Sequence, residues 1–140
     1  LTIKPNGCTI PNRFRHKGEL LVSLITYITS RSMWQDAQQR GAYEAPSLHT
    51  EGFIHCSTPA KVAATANRFY RAQRGLLLLY IDPTLLTAPL KYEPGTDVAD
   101  LFPHIYGPLN LMAIVRVADF EPDAAGDFHP PAEPDDLTAR

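Results

Sequence analysis

Two cysteines in 140 residues, Cys8 and Cys56, are too few for a disulfide framework and have no metal-knuckle spacing. No apolar run approaches the ~20 residues that span a bilayer. The longest, Leu76 to Ile81, has the length of a buried strand. Neither charge sign dominates: the formal net charge is −2, which gives no reason to expect non-specific nucleic-acid binding or a membrane surface. There is no GxGxxG and no Walker-type loop, so Rossmann and P-loop modes of nucleotide binding are excluded. The first twenty residues lack the apolar centre of a signal peptide. These absences lead us to expect a soluble, cytoplasmic, single-domain chain. It is long enough to bury roughly two-thirds of its unfolded surface without staples.

What is present falls into three parts. Residues 1–19 are basic and broken by Pro5, Gly7, Pro11 and Gly18, and read as a loose arm. Residues 20–120 carry the periodic signals. Leu20 to Thr29 reads as a first strand, with Ile25, Tyr27 and Thr29 on one face and Ile28 on the other. Ser30 can cap a helix over Arg31 to Arg40, with Gly41 as its stop. Residues 42–50 read as a loop. A second helix is expected from Thr58 to about Gln73, with Thr58 as N-cap and Pro59 at the first helical position. Its apolar positions are Val62, Ala66, Phe69 and Tyr70. Leu76 to Asp82 reads as a strand buried on both faces, Pro89 to Pro94 as a short edge strand, and Leu111 to Phe120 as the last strand. Residues 121–140, rich in Pro, Asp, Ala and Gly, read as a flexible tail. Five or six strands and two main helices in mixed order make an α+β domain.

Two polar-aromatic stretches carry the chemistry: Glu51-Gly52-Phe53-Ile54-His55-Cys56-Ser57-Thr58 and Phe102-Pro103-His104-Ile105-Tyr106-Gly107-Pro108. Strand alternation puts Phe53 and His55 on one face and Ile54 and Cys56 on the other. His55 therefore cannot easily serve Cys56 as a base, which counts against a cysteine nucleophile. His55, His104 and Glu93 suffice in number for a metal-dependent hydrolase, but no spacing motif joins them, so no metal is expected. A third reading is a nucleotide pocket. There Tyr27, Phe53 and Tyr106 stack a planar ring, and Ser57 and Thr58 at a helix N-terminus hold a phosphate or ribose hydroxyl. Thr29 stands among the polar strand ends, Arg68 is placed to reach a ligand phosphate, and Glu93 bonds a ribose or stabilises developing positive charge. The bland reading is a domain whose polar residues only knit turns.

The series Trp34, Gly41-Ala42-Tyr43, Ser47-Leu48, the two stretches above, Arg68-Phe69-Tyr70 and Tyr92-Glu93 resembles the bacterial family DUF952, over about residues 24–120. The resemblance implies an ADP-ribosyltransferase-like fold, a small split β-sheet or sandwich with two main helices packed on it. It also implies a cleft for NAD or ADP-ribose as substrate, with no tightly bound cofactor. Transferases of that fold place a His or Arg on the first core strand, where Tyr27 stands here. They place a hydroxyl residue at the end of the next core strand, where Ser57 fits. They commonly use a late Glu, for which Glu93 is the available acid, with His104 or Tyr106 as substitutes and His55 as the face-mate of Ser57. The expected function is ADP-ribosyl transfer, or cleavage at the ribose anomeric carbon. The alternative is a non-catalytic nucleotide-binding domain on the same scaffold.

Overall fold

The computed structural model describes residues 23–95 and 100–131. The expected arm, Cys8, residues 20–22 of the expected first strand, and residues 132–140 of the tail lie outside them. The described chain is a small α+β protein with three antiparallel sheets and three α-helices.

The largest sheet takes β1 (Ile25–Ser30), β4 (Leu76–Ile81) and β8 (Ile114–Phe120) in the order β1-β4-β8, with Tyr27 opposite Leu79 and Leu78 opposite Ala118. All six β4 residues are buried, as their unbroken apolar run demands. Leu79 and Ile81 pack with Ile25, Ala37, Ile54, Ile105 and Leu109 in one core cluster. Leu76, Leu78 and Tyr80 pack with Ile28, Val62, Ala66, Phe120 and Phe128 in a second. The central strand thus separates two cores. Helix α1 (Arg31–Arg40) begins where expected: the Ser30 hydroxyl accepts from the Met33 N–H, and Gly41 ends it in the left-handed region. Its Ala37 is buried in the first core.

The second sheet pairs β2 (Ala42–Tyr43) with β7 (Leu109–Asn110). The third has the order β3-β6-β5, from Ile54–His55, Leu101–Ile105 and Leu90–Pro94, with β5 at the edge as expected. Its inner face places Ile54 and Ile105 in the first core. The outer face gathers Phe53, His55, His104, Tyr106 and Glu93. Among the described residues, the two larger sheets meet at a single bridge between Thr26 and Ser57. There the Thr26 N–H donates to the Ser57 carbonyl at 2.7 Å and the Ser57 N–H donates to the Thr26 carbonyl at 2.9 Å. The Thr26 hydroxyl adds a third bond to the Ser57 carbonyl at 2.8 Å.

Several expectations need correction. The stretch read as a loop over 42–50 contains β2 and a short helix, α2 (Pro46–Thr50), which Pro46 opens. The second main helix does not start at Thr58: α3 is Val62–Phe69. Pro59 instead occupies the second position of a turn in which the Lys61 N–H donates to the Thr58 carbonyl. Nor does it reach Gln73. Ala72 turns into the left-handed region (φ 67°), and its N–H donates to the Gly126 carbonyl. The last strand starts at Ile114, after a 3-10 turn over Leu111–Ala113. Residues 121–131 of the expected tail are packed onto α3. Phe128 is buried in the second core, and its backbone is held on both sides by the Asn67 amide, at 2.9 and 2.6 Å. Asn67 on α3 and a buried aromatic in the segment supply the contacts that composition alone did not reveal.

Candidate functional site

β3 and β6 are adjacent strands, and their register sets His55 directly opposite His104. The two stretches singled out in the sequence are therefore neighbours in space. Their imidazole centroids lie 5.2 Å apart, edge to face. Phe53 packs on both, stacked on His104 at 4.2 Å and tilted against His55 at 4.7 Å.

Each imidazole has its own carboxylate. His104 Nδ1 lies 2.8 Å from Glu93 Oε1, and His55 Nε2 lies 3.1 Å from Glu51 Oε1. The same Glu93 oxygen accepts from the Tyr106 hydroxyl at 2.5 Å. An ionised carboxylate only accepts, so neutral His104 carries its proton on Nδ1 and leaves Nε2 as an acceptor. The bond from Tyr106, followed by that from His104, holds the Glu93 carboxyl below the usual carboxylate range. The same carboxylate pushes the Tyr106 phenol up. Lys91 Nζ sits over the Tyr106 ring, 4.8 Å from its centre. His104 itself is buried, whereas His55 is open to solvent.

A cleft of about 660 Å³ opens where β1 and β3 diverge from their single bridge. Tyr27, His55, Ser57, Arg68 and His104 all line it. Glu93, Tyr106 and Phe53 stand behind His104 and fix it, outside the lining. Thr29 and Thr58 are not brought to the cleft. The Thr29 hydroxyl is buried against the Tyr43 hydroxyl at 2.6 Å, and the Thr58 carbonyl closes the turn before α3. Because α3 starts four residues after Thr58, its N-terminus does not sit beside Ser57. The buried Ser57 instead reaches the Thr65 hydroxyl, in the first turn of the helix, at 3.3 Å. Burial drives the Tyr27 phenol upward, with the neighbouring Tyr43 adding to it. Cys56 lies in the core on the face opposite His55, and burial pushes its thiol up, which removes the thiolate a nucleophile needs. Among the described residues, no three His, Cys, Asp or Glu side chains converge as metal ligands.

Sequence reasoning missed much of the α3 wall. Lys61, Thr65, Arg68 and Phe69 line the cleft from one side of this helix, at i, i+4, i+7 and i+8. Phe69, expected in the core, is 59% exposed. Its spacing from Val62 and Ala66 fits the buried stripe, but it is the last residue of the helix and turns to the cleft. Lys61 Nζ lies 3.9 Å from Asp100 and 5.3 Å from the centre of the Phe102 ring, spanning the mouth of the cleft to β6. The one available signal was the 61-65-68 polar repeat.

The family model described as a protein of unknown function, DUF952, matches residues 28–117. The chain belongs to the DUF952 family. The match spans both polar-aromatic stretches and ends inside β8, so the segment docked on α3 lies beyond it. This DUF952 domain is similar to the crystal structure of protein CC0527 from Caulobacter crescentus, with a TM-score of 0.69 and 34% identity over 76% of this chain and 93% of that one. It is also similar to the solution structure of the same protein, with a TM-score of 0.67 and 35% identity over 76% of this chain and 92% of that one. No curated protein matches the chain.

Proposed function

We propose that the cleft holds NAD or an ADP-ribosyl group and acts at the ribose anomeric carbon, on an ADP-ribosyltransferase-like split sheet. The observation that carries this reading is the Glu93–His104–Tyr106 set at the wall of a nucleotide-sized cleft. The position of the cleft, where two sheets part from one bridge, supports the split-sheet reading.

In this mechanism the bond from the anomeric carbon to its leaving base breaks, and positive charge develops on the ribose. An acceptor oxygen attacks that carbon and gives up its proton to His104 Nε2. Glu93 keeps the imidazole in its tautomer and stabilises the imidazolium that forms. The role of Glu93 is thereby revised: it positions His104 instead of touching the ribose. The aromatic rings of Tyr27 and Phe102 stack planar groups, and Lys61 and Arg68 lie along the wall that faces the phosphates. A non-catalytic binding domain is the second reading. The full engagement of one Glu93 oxygen by two donors favours it, since that oxygen is not poised toward a sugar.

Calorimetric titration with NAD and with ADP-ribose tests the reading. Binding is expected for both, with turnover of NAD. Glu93→Gln should cut turnover by roughly 10²-fold or more while sparing most binding, the range of a lost acid–base function. Absence of heat with either ligand at millimolar concentration overturns the proposal.

A further inference from the structure

The histidine pair has a property that anomeric chemistry leaves unused. Two imidazoles line one cleft with centroids 5.2 Å apart, and each is oriented by a separate carboxylate. Glu51 holds Nε2 of His55, and Glu93 holds Nδ1 of His104. The ring nitrogens left for a ligand are therefore Nδ1 of His55 and Nε2 of His104. One ring is buried and backed by the shorter bond; the other meets solvent, where it can exchange protons between turnovers. Such a pair can remove one proton and deliver another in the same displacement.

We infer that His104 and His55 act as a general base and general acid in hydrolysis of a cyclic ribonucleotide phosphodiester bound in this cleft. His104 Nε2 takes a proton from water as the water oxygen bonds to phosphorus. The bond from phosphorus to the 2′ or 3′ oxygen breaks, and that oxygen takes the proton from His55 Nδ1. Water supplies both the hydroxyl and the hydrogen, so the product is a nucleoside monophosphate and no other co-reactant enters. Lys61 and Arg68, on the facing wall, offset the phosphorane charge. The charged and titratable groups around the pair are Glu51, Glu93, Lys91, Tyr106 and Asp100 on its own side, and Lys61 and Arg68 across the cleft. The inference rests on the nucleotide-sized cleft proposed above but concerns a different bond.

The test is phosphorus NMR of the full chain with 2′,3′-cyclic AMP in EDTA, from pH 5 to 8. Conversion to the monophosphate with a bell-shaped pH profile is expected. His104→Gln should lose the acid-side limb and His55→Gln the alkaline-side limb, each with a rate loss of about 100-fold or more. A merely structural role would lower the rate without removing a limb. Because His104 is buried, its variant is checked by melting. The exposed His55 variant keeps the inference falsifiable even if the first fails to fold. No conversion by the wild type, a flat profile, or an unchanged rate in His55→Gln overturns it. Titration of the same wild-type sample with ADP-ribose separates the two proposals. Binding without hydrolysis sinks only the phosphodiester inference, and absence of both sinks the nucleotide cleft as well.

Discussion

Glu93 is a residue whose ionisation the fold uses directly. Its carboxyl is held below the ordinary range because Tyr106 and His104 both donate to it. A group with a lowered folded-state pKa stabilises the fold at pH values above its unfolded value, about 4.3 for Glu. That stabilisation is lost as pH falls through the lower folded value. The melting temperature of the wild type should therefore drop more steeply between pH 5 and pH 3 than that of Glu93→Gln. Parallel curves for the two proteins would show that the carboxylate contributes nothing through its charge. Cys56 behaves oppositely: its thiol is driven up by burial in the core cluster, so it titrates outside the working range of pH.

Elements were readable where one physical signal dominated. The β4 run of Leu76–Ile81 admits little else than a doubly covered strand, and Ser30 with Gly41 brackets α1 by two independent caps. Alternation through Ile54, His55 and Cys56 separated the core face from the face of the imidazoles, because a period of two has no slack. The pairing of β3 with β6 had no local signal, because it joins residues about fifty positions apart in the chain. Where local signals competed, tertiary contacts decided. Pro59 suits both a helix start and a turn, and the turn won. Residues 121–131 looked like tail because Pro, Asp and Gly dominate, yet the buried Phe128, the Asn67 amide on α3 and the bond from Ala72 to Gly126 hold them. Phe128→Ala should cost roughly 3 kcal/mol or more, the scale of a buried Phe truncated to Ala. Urea denaturation measures this. A loss below about 1 kcal/mol would mean that the segment is laid on the surface without anchoring α3.

Taken as a body, the described chain consists of two larger sheets that share one bridge, with the cleft opening beside it. Amides in such a bridge open with less free energy than those of a central strand. Thr26 and Ser57 should exchange hydrogen faster than Leu78 and Leu79, which sit in the middle of β4 between β1 and β8. ADP-ribose at a hundred times its dissociation constant should slow the bridge amides about 100-fold, because the ligand binds only the closed form. Equal exchange with and without ligand would mean that the nucleotide does not load the junction of the sheets.

Ser57 has a consequence for how variation can accumulate in this chain. Its main chain closes the bridge in both directions, its carbonyl also receives the Thr26 hydroxyl, and its own hydroxyl meets Thr65 at the cleft. On the proposed nucleotide reading, recognition and cohesion meet at this one position. A saturation library scored once for folding and once for ligand capture would give correlated losses at Ser57 and Thr26. At His55, which is open to solvent and held by Glu51 and by the Phe53 and His104 rings, the two scores would come apart. On that reading the cleft has a wall free to drift toward new ligands and a seam that cannot drift without loosening the molecule.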